Sequence, residues 1–145
     1  MSTVKNCLDQ KPQRLVTVAP SDTVAHALTL MRDNRVRAVL VLDGVRLAGI
    51  VTQGDCAIKV LLPGLDAKQV LASSVMTVKP MTVKLNDPLE ACMGLMATRN
   101  FRHLPVLEDG AVVGVISIGD VVKDNIRNMG QQINFLETYI KGHGA

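Results

Sequence analysis

The chain carries one pattern twice. Gly49-Ile50-Val51-Thr52-Gln53-Gly54-Asp55 aligns without a gap on Gly114-Val115-Ile116-Ser117-Ile118-Gly119-Asp120, 65 residues further on. The agreement extends upstream through Asp22 and Asp87, Ala27 and Cys92, Met31 and Met96, Arg37 and Arg102, Val41 and Val106, and Leu42 and Leu107. Such a duplication means that one folding unit is used twice, and two copies packed about a pseudo-twofold axis create related sites at their junction. The matched positions include a hydroxyl and a carboxylate at the end of an apolar strand, where open α/β units hold their ligands.

Each copy predicts strand, helix, strand, strand, helix, and so an α+β fold. In the first copy, Leu15 to Val18 is a short extended piece stopped at Pro20, whose ring fixes φ and removes a donor. Ser21 or Asp22 can cap the next helix, where Val24, Ala27, Leu28 and Met31 recur at helical spacing. Ala38 to Leu42 is a buried strand, Asp43-Gly44 signals a turn, and Leu47 to Val51 returns as the hairpin partner. A helix then runs from about Gln53 towards Leu62 and ends at Pro63-Gly64. In the second copy, Met81 to Val83 is the short strand and Asp87-Pro88 opens a helix through Leu89, Cys92, Met93 and Met96. His103 to Leu107 and Val112 to Ile116 form its hairpin.

The expected divisions are residues 10–62 for the first copy, 63–80 for a linker with one short helix, 81–125 for the second copy and 126–145 for a helical tail. From Ile118 onward, Val122, Ile126, Met129, Ile133, Leu136 and Ile140 make a seam of the kind helices use to pack on their own domain or on a second subunit. Gly130 inside that helix costs about 1 kcal/mol relative to Ala, so the seam calls for packing support.

Composition narrows the classes of function. A chain of 145 residues, 48% apolar, suffices for one compact domain or two intimately packed halves. The longest apolar run, Ala38 to Leu42, is far short of the ~20 residues that span a bilayer. The first residues, Met1 to Cys7, hold no apolar signal core, so a cytoplasmic protein is expected. Cys7, Cys56 and Cys92 are an odd number without metal-type spacing and suit packing thiols better than a redox pair. The net charge of +3 is scattered, and with one Tyr, two Phe and no Trp the chain lacks the stacking platform of single-strand nucleic-acid binders. A mild positive charge does favour a phosphorylated small molecule.

Thr52-x-x-Asp55 and Ser117-x-x-Asp120 have the form of capping boxes, in which hydroxyl and acid satisfy the first N–H groups of a helix. Each cap is worth about 1 kcal/mol, which by itself explains the motif. Their position after an apolar strand, with Gly54 and Gly119 leaving backbone space, also suits a carboxylate that accepts a ribose diol. Arg35 and Arg37 in one copy, and Arg99, Arg102 and His103 in the other, stand before the buried strand, and guanidinium groups suit phosphate.

On these residues the chain resembles a tandem pair of CBS domains, the module named after cystathionine β-synthase, over about residues 10 to 125. Thr17-Val18-Ala19-Pro20, Arg102-His103-Leu104-Pro105-Val106 and both Gly-to-Asp segments carry the likeness, and the stretch from Gly114 to Lys123 with the long tail is similar to small stand-alone bacterial members. The resemblance implies two repeats of β-α-β-β-α forming one Bateman module, with two clefts for adenosine-containing ligands: AMP, ADP, ATP, NAD(H) or S-adenosylmethionine. Carried over by position, Asp55 and Asp120 would take ribose hydroxyls, with Thr52 and Ser117 near ribose or phosphate. Backbone around Thr17 and Thr82, with Val18 and Val106, would flank adenine, and Arg102, His103 and Arg37 would meet phosphate. The first copy departs from the pattern: Leu40 stands at the place of Pro105, Ala38 at that of His103, and Gln53-Gly54-Asp55-Cys56 lacks an arginine that relatives carry, for which Lys59 is a substitute. Unequal clefts follow.

The expected function is a non-catalytic sensor, a homodimer that binds an adenine nucleotide, requires no cofactor and acts on a regulated protein that the sequence does not name. A constitutive dimerisation module is the alternative. An enzyme is disfavoured, because His26, His103 and His143 are scattered and no nucleophile or metal constellation is present in the sequence.

Overall fold

The computed structural model describes residues 2–11 and 15–129. Both copies fold to the same plan. In the first, β1 (Thr17–Val18) leads to α2 (Val24–Asn34) and to the hairpin β2 (Ala38–Asp43) and β3 (Arg46–Thr52), after a helix α1 (Val4–Asp9) that precedes it. In the second, β5 (Val83–Lys84) leads to α5 (Leu89–Arg99) and the hairpin β6 (His103–Glu108) and β7 (Ala111–Ser117). Residues 118–129 are helical as far as the described chain runs, and we label them α6. The seam positions beyond Met129, with Gly130 and His143, lie outside the described residues.

The register is duplicated with the sequence. β1 runs parallel to β2 with Val18 opposite Val41, and β5 parallel to β6 with Val83 opposite Val106. Each hairpin slips its register at one matched step, Val41/Leu42 and Val106/Leu107. The middle residues of β2 and β6, Val39-Leu40-Val41 and Leu104-Pro105-Val106, are all buried, as for strands covered on both faces. One core gathers around Val24, Met31, Val39, Val41 and Val51, the other around Leu89, Cys92, Leu104, Val106 and Ile116. Cys7, Cys56 and Cys92 are free and buried, as packing thiols should be.

Local chemistry corrects several boundaries. Thr23, rather than Ser21 or Asp22, caps α2 by accepting from His26 N (3.1 Å), while Asp22 accepts from Ala19 N at 2.8 Å. Asp87 repeats that second bond to Lys84 N, and Pro88 stands at the N-cap of α5 rather than inside its first turn. α2 and α5 both end on a left-handed residue, Arg35 and Asn100. The helix after β3 begins as α3 (Gln53–Cys56) and widens over Ala57–Leu61, where Leu62 N reaches back to Ala57 O.

Two pieces of structure were not anticipated from the sequence. Residues 63–80 hold the one short helix expected of the linker, α4 (Ala72–Val75), and beyond it an unexpected strand β4 (Thr77–Val78), which pairs with β3 and makes the first sheet four-stranded beside the three-stranded second. The helix α1 completes the other half. Ala72 N and Ser73 N bond Asp22 O and Pro20 O, and Val4 N and Lys5 N bond the matched Asp87 O and Leu85 O. The segment before each copy therefore docks on the other copy, in the same manner both times.

Two matched glycines permit that docking. A Cβ on Gly49 would lie 2.6 Å from Thr77 O and 2.8 Å from the Met76 sulfur. On Gly114 it would lie 3.0 Å from Leu8 Cδ2. At Gly49 only a residue without a side chain lets the backbone of β4 approach this closely, whereas at Gly114 the neighbour is a leucine side chain.

Candidate functional site: two clefts between the copies

Each hydroxyl-x-x-Asp motif opens a helix and folds as a capping box. Thr52 Oγ1 accepts from Asp55 N (3.1 Å), and Asp55 Oδ2 accepts from Thr52 N (3.0 Å). Ser117 Oγ accepts from Asp120 N (3.1 Å), and Asp120 Oδ2 from Ser117 N (2.8 Å). The simple capping role is thus real. It fixes each carboxylate at the mouth of a cleft without burying it, since both side chains remain 16% exposed.

The first cleft, about 410 Å³, combines Thr52, Gln53, Gly54 and Asp55 of the first copy with Asn100, Phe101, Arg102 and His103 of the second. The second, about 610 Å³, mirrors it: Ser117, Ile118, Gly119 and Asp120 face Arg35, Val36, Arg37 and Ala38. Arg37, Arg102 and His103 line both, so the two cavities share one basic wall. The motif of one copy and the helix end of the other are brought together because Arg35 and Asn100 turn the chain sharply from α2 or α5 into the hairpin.

The carboxylates differ in their partners. Lys59, one turn after Asp55, places Nζ 3.3 Å from Asp55 Oδ1 and donates to Val75 O (2.9 Å). Asp120 pairs with Lys11, whose Nζ is 2.7 Å from Oδ2 and also donates to Val115 O at 3.0 Å. Asp120 Oδ1 takes no hydrogen bond among the described residues, and Asp120 lines the second cleft. Burial pushes the Asp120 carboxyl up, but the Lys11 ammonium and the Ser117 N–H and hydroxyl outweigh it and hold the group below the usual aspartate value. Burial lowers the pKa of His103; Asp120 opposes this, while Lys11, Arg102 and Arg37 reinforce it.

Of the residues singled out from sequence, Thr52, Asp55, Ser117, Asp120, Arg37, Arg102 and His103 line the clefts. Thr17 and Thr82 line neither, and Val18 and Val106 are core side chains, 4% and 0% exposed. The cleft walls take the residue one place earlier in each strand approach, Val16 and Met81. Their carbonyls differ. Leu40 N donates to Val16 O at 3.0 Å, a bond that Pro105 cannot make to Met81 because it has no N–H. Lys11 and Lys123 went unnoticed in the sequence, Lys11 because it lies outside the strong part of the repeat.

The fold and the paired clefts define a module built of two matched copies. The chain belongs to the CBS domain family, whose sequence profile matches residues 12–61 and 72–125. It is 32% identical over 126 residues to the mitochondrial CBS domain-containing protein CBSX3 of Arabidopsis thaliana, covering 83% of this chain and 61% of that protein, which is longer. A solved structure of a protein with CBS domains from Burkholderia ambifaria superposes with a TM-score of 0.84 at 40% identity, over 87% of this chain and 95% of the other. The CBS domain protein PAE2072 from Pyrobaculum aerophilum, solved as a complex with AMP, superposes with a TM-score of 0.73 at 25% identity, over 82% and 89% of the two chains. Among the described residues, no helix is long and apolar enough to cross a membrane and no group of side chains suits a metal ion.

Proposed function

We propose that the two clefts bind adenosine-containing nucleotides, AMP, ATP or NAD(H), and that the protein is a non-catalytic cytoplasmic sensor acting as a homodimer. One observation carries the reading: each cleft joins a fixed hydroxyl-x-x-Asp element of one copy to Arg37, Arg102 and His103 on a common wall. A carboxylate suits a ribose diol and guanidinium groups suit phosphate. The AMP complex of the Pyrobaculum relative supports the choice of ligand class. Within each cleft, Asp55 with Thr52, and Asp120 with Ser117, would hold ribose, and Arg37, Arg102 and His103 would meet phosphate. The apolar wall for adenine passes to Val16 and Met81, beside the positions first expected at Thr17, Val18, Thr82 and Val106.

Calorimetric titration with AMP, ATP and NADH tests the reading, with Asp120→Ala as the control. Binding by at least one of the three, weakened in the variant, is expected; no binding by any abandons it. Ligand-driven regulation further requires unequal affinity for two conformations, which limited proteolysis with and without nucleotide would register.

A second reading, a constitutive dimerisation module, is favoured by the exposed apolar side chains Val122 (49%), Ile126 (61%) and Met129 (57%) along α6. Under it, Ile126→Asp would turn a dimer into a monomer in analytical ultracentrifugation, while Asp55→Ala and Asp120→Ala would leave assembly unchanged.

A further inference from the structure

Among the described residues, the two clefts carry different charge. Around the first, two cations, Arg37 and Arg102, face one carboxylate, Asp55. Around the second, five cations, Lys11, Arg35, Arg37, Arg102 and Lys123, face one carboxylate, Asp120. The second cleft is also the larger, about 610 Å³ against about 410 Å³. Unlike the other four cations, Lys11 comes from the segment that follows α1, which packs on the second copy from outside it.

Lys11 treats Asp120 differently from the way Lys59 treats Asp55. Its Nζ shares Oδ2 with the Ser117 N–H and anchors itself on Val115 O. Asp120 is thereby fixed through Oδ2, and Oδ1 takes no hydrogen bond among the described residues. An ammonium has three donors, of which Lys11 spends two among the described residues, and Lys11 lines the second cleft. Asp55 is bound at both oxygens, by Thr52 N and by Lys59, and the Lys59 ammonium does not line the first cleft.

The geometry points to Lys11 as the specificity-determining residue of the second cleft, where it selects the more highly phosphorylated nucleotide and leaves the first cleft to less charged ligands. The inference rests on the nucleotide reading of the clefts. A neutral nucleoside uses Oδ1 of Asp120 and gains nothing from the surrounding cations. Each added phosphate gains from all of them, in a concave site where water screens less than at an open surface.

The test is calorimetry of ATP and of adenosine on the Asp55→Ala chain, which isolates the second cleft, with and without Lys11→Met. A charge-assisted hydrogen bond of ordinary strength predicts ATP weakened roughly ten- to a hundredfold, and adenosine changed by less than about threefold. Lys11→Arg should restore most of the ATP affinity. Lys123→Met, which does not touch the Asp120 ion pair, should also weaken ATP and spare adenosine. Equal weakening of both ligands by Lys11→Met would reduce Lys11 to a support for Asp120 and overturn the inference, as would no change in either. If ATP fails to bind the unsubstituted protein while AMP or NADH binds, this inference alone is overturned; if none of the three binds, the nucleotide reading itself falls and takes this inference with it.

Discussion

Gly49 and Gly114 occupy the same place in the two hairpins, yet adding a methyl group should cost differently at each. At Gly49 the new Cβ meets a backbone carbonyl, Thr77 O at 2.6 Å, which is held by the pairing of β3 with β4 and cannot step aside. At Gly114 it meets the tip of a side chain, Leu8 Cδ2 at 3.0 Å, which can rotate by a few tenths of an ångström. Gly49→Ala should therefore lose about 1–3 kcal/mol in urea denaturation, as overpacked sites do, and Gly114→Ala clearly less. Equal losses would show that β4 gives way as easily as a leucine methyl. The asymmetry also marks a limit of reading residues by repeat. The match of the two glycines was legible in the sequence, but the partner of each comes from a segment outside the matched stretch. The clefts show the same division: Asp55, Asp120 and the arginines could be found by type and position, whereas Lys11 could not, because nothing in its neighbourhood is repeated.

The same division holds for whole elements. The hairpins and the helices α2 and α5 declare themselves through apolar spacing and through turn residues such as Gly44 and Gly110, both at positive φ. α1 does not: six residues are too few for a helix to hold in water by propensity. It forms because Thr3 and Asn6 make a capping box, because Val4 N and Lys5 N bond the chain before α5, and because Val4, Cys7 and Leu8 are buried against the second core. Tertiary contact makes this element. Leu8→Ala should then cost about 2–5 kcal/mol, the usual range for a buried leucine, although it lies outside the family profile match. The Cys7 thiol offers a local readout. Burial first, then the charges of Asp120 and Asp124, push its pKa up to about 11. Labelling by a thiol reagent at pH 8 should be slow in the native protein and faster in Leu8→Ala, in proportion to the opening of α1. Unchanged labelling in a destabilised Leu8→Ala would mean that α1 opens only with the whole fold.

For the whole molecule, stability and the proposed nucleotide binding are joined at His103 and Asp120. Both groups have lower pKa values folded than unfolded, so on acidification the unfolded chain takes up protons first. The contribution from His103 is complete above its ordinary value of 6.5 and is lost as pH falls from there towards the folded value. That from Asp120 is complete above the usual aspartate value, near 3.9, and is lost as pH falls through its folded value. The urea midpoint should be level near neutrality and decline in two stages, the upper one absent in His103→Gln. Part of what holds the imidazole neutral is the cations Lys11, Arg102 and Arg37, which an anionic ligand on the shared wall would offset. Binding of ATP at about pH 6 should therefore drive proton uptake by His103, seen as a binding enthalpy that varies with the ionisation enthalpy of the buffer. Phosphate itself titrates in this region, so the control is His103→Gln. Uptake that persists undiminished in that variant belongs to the ligand and would place the phosphates away from the wall that the two clefts share.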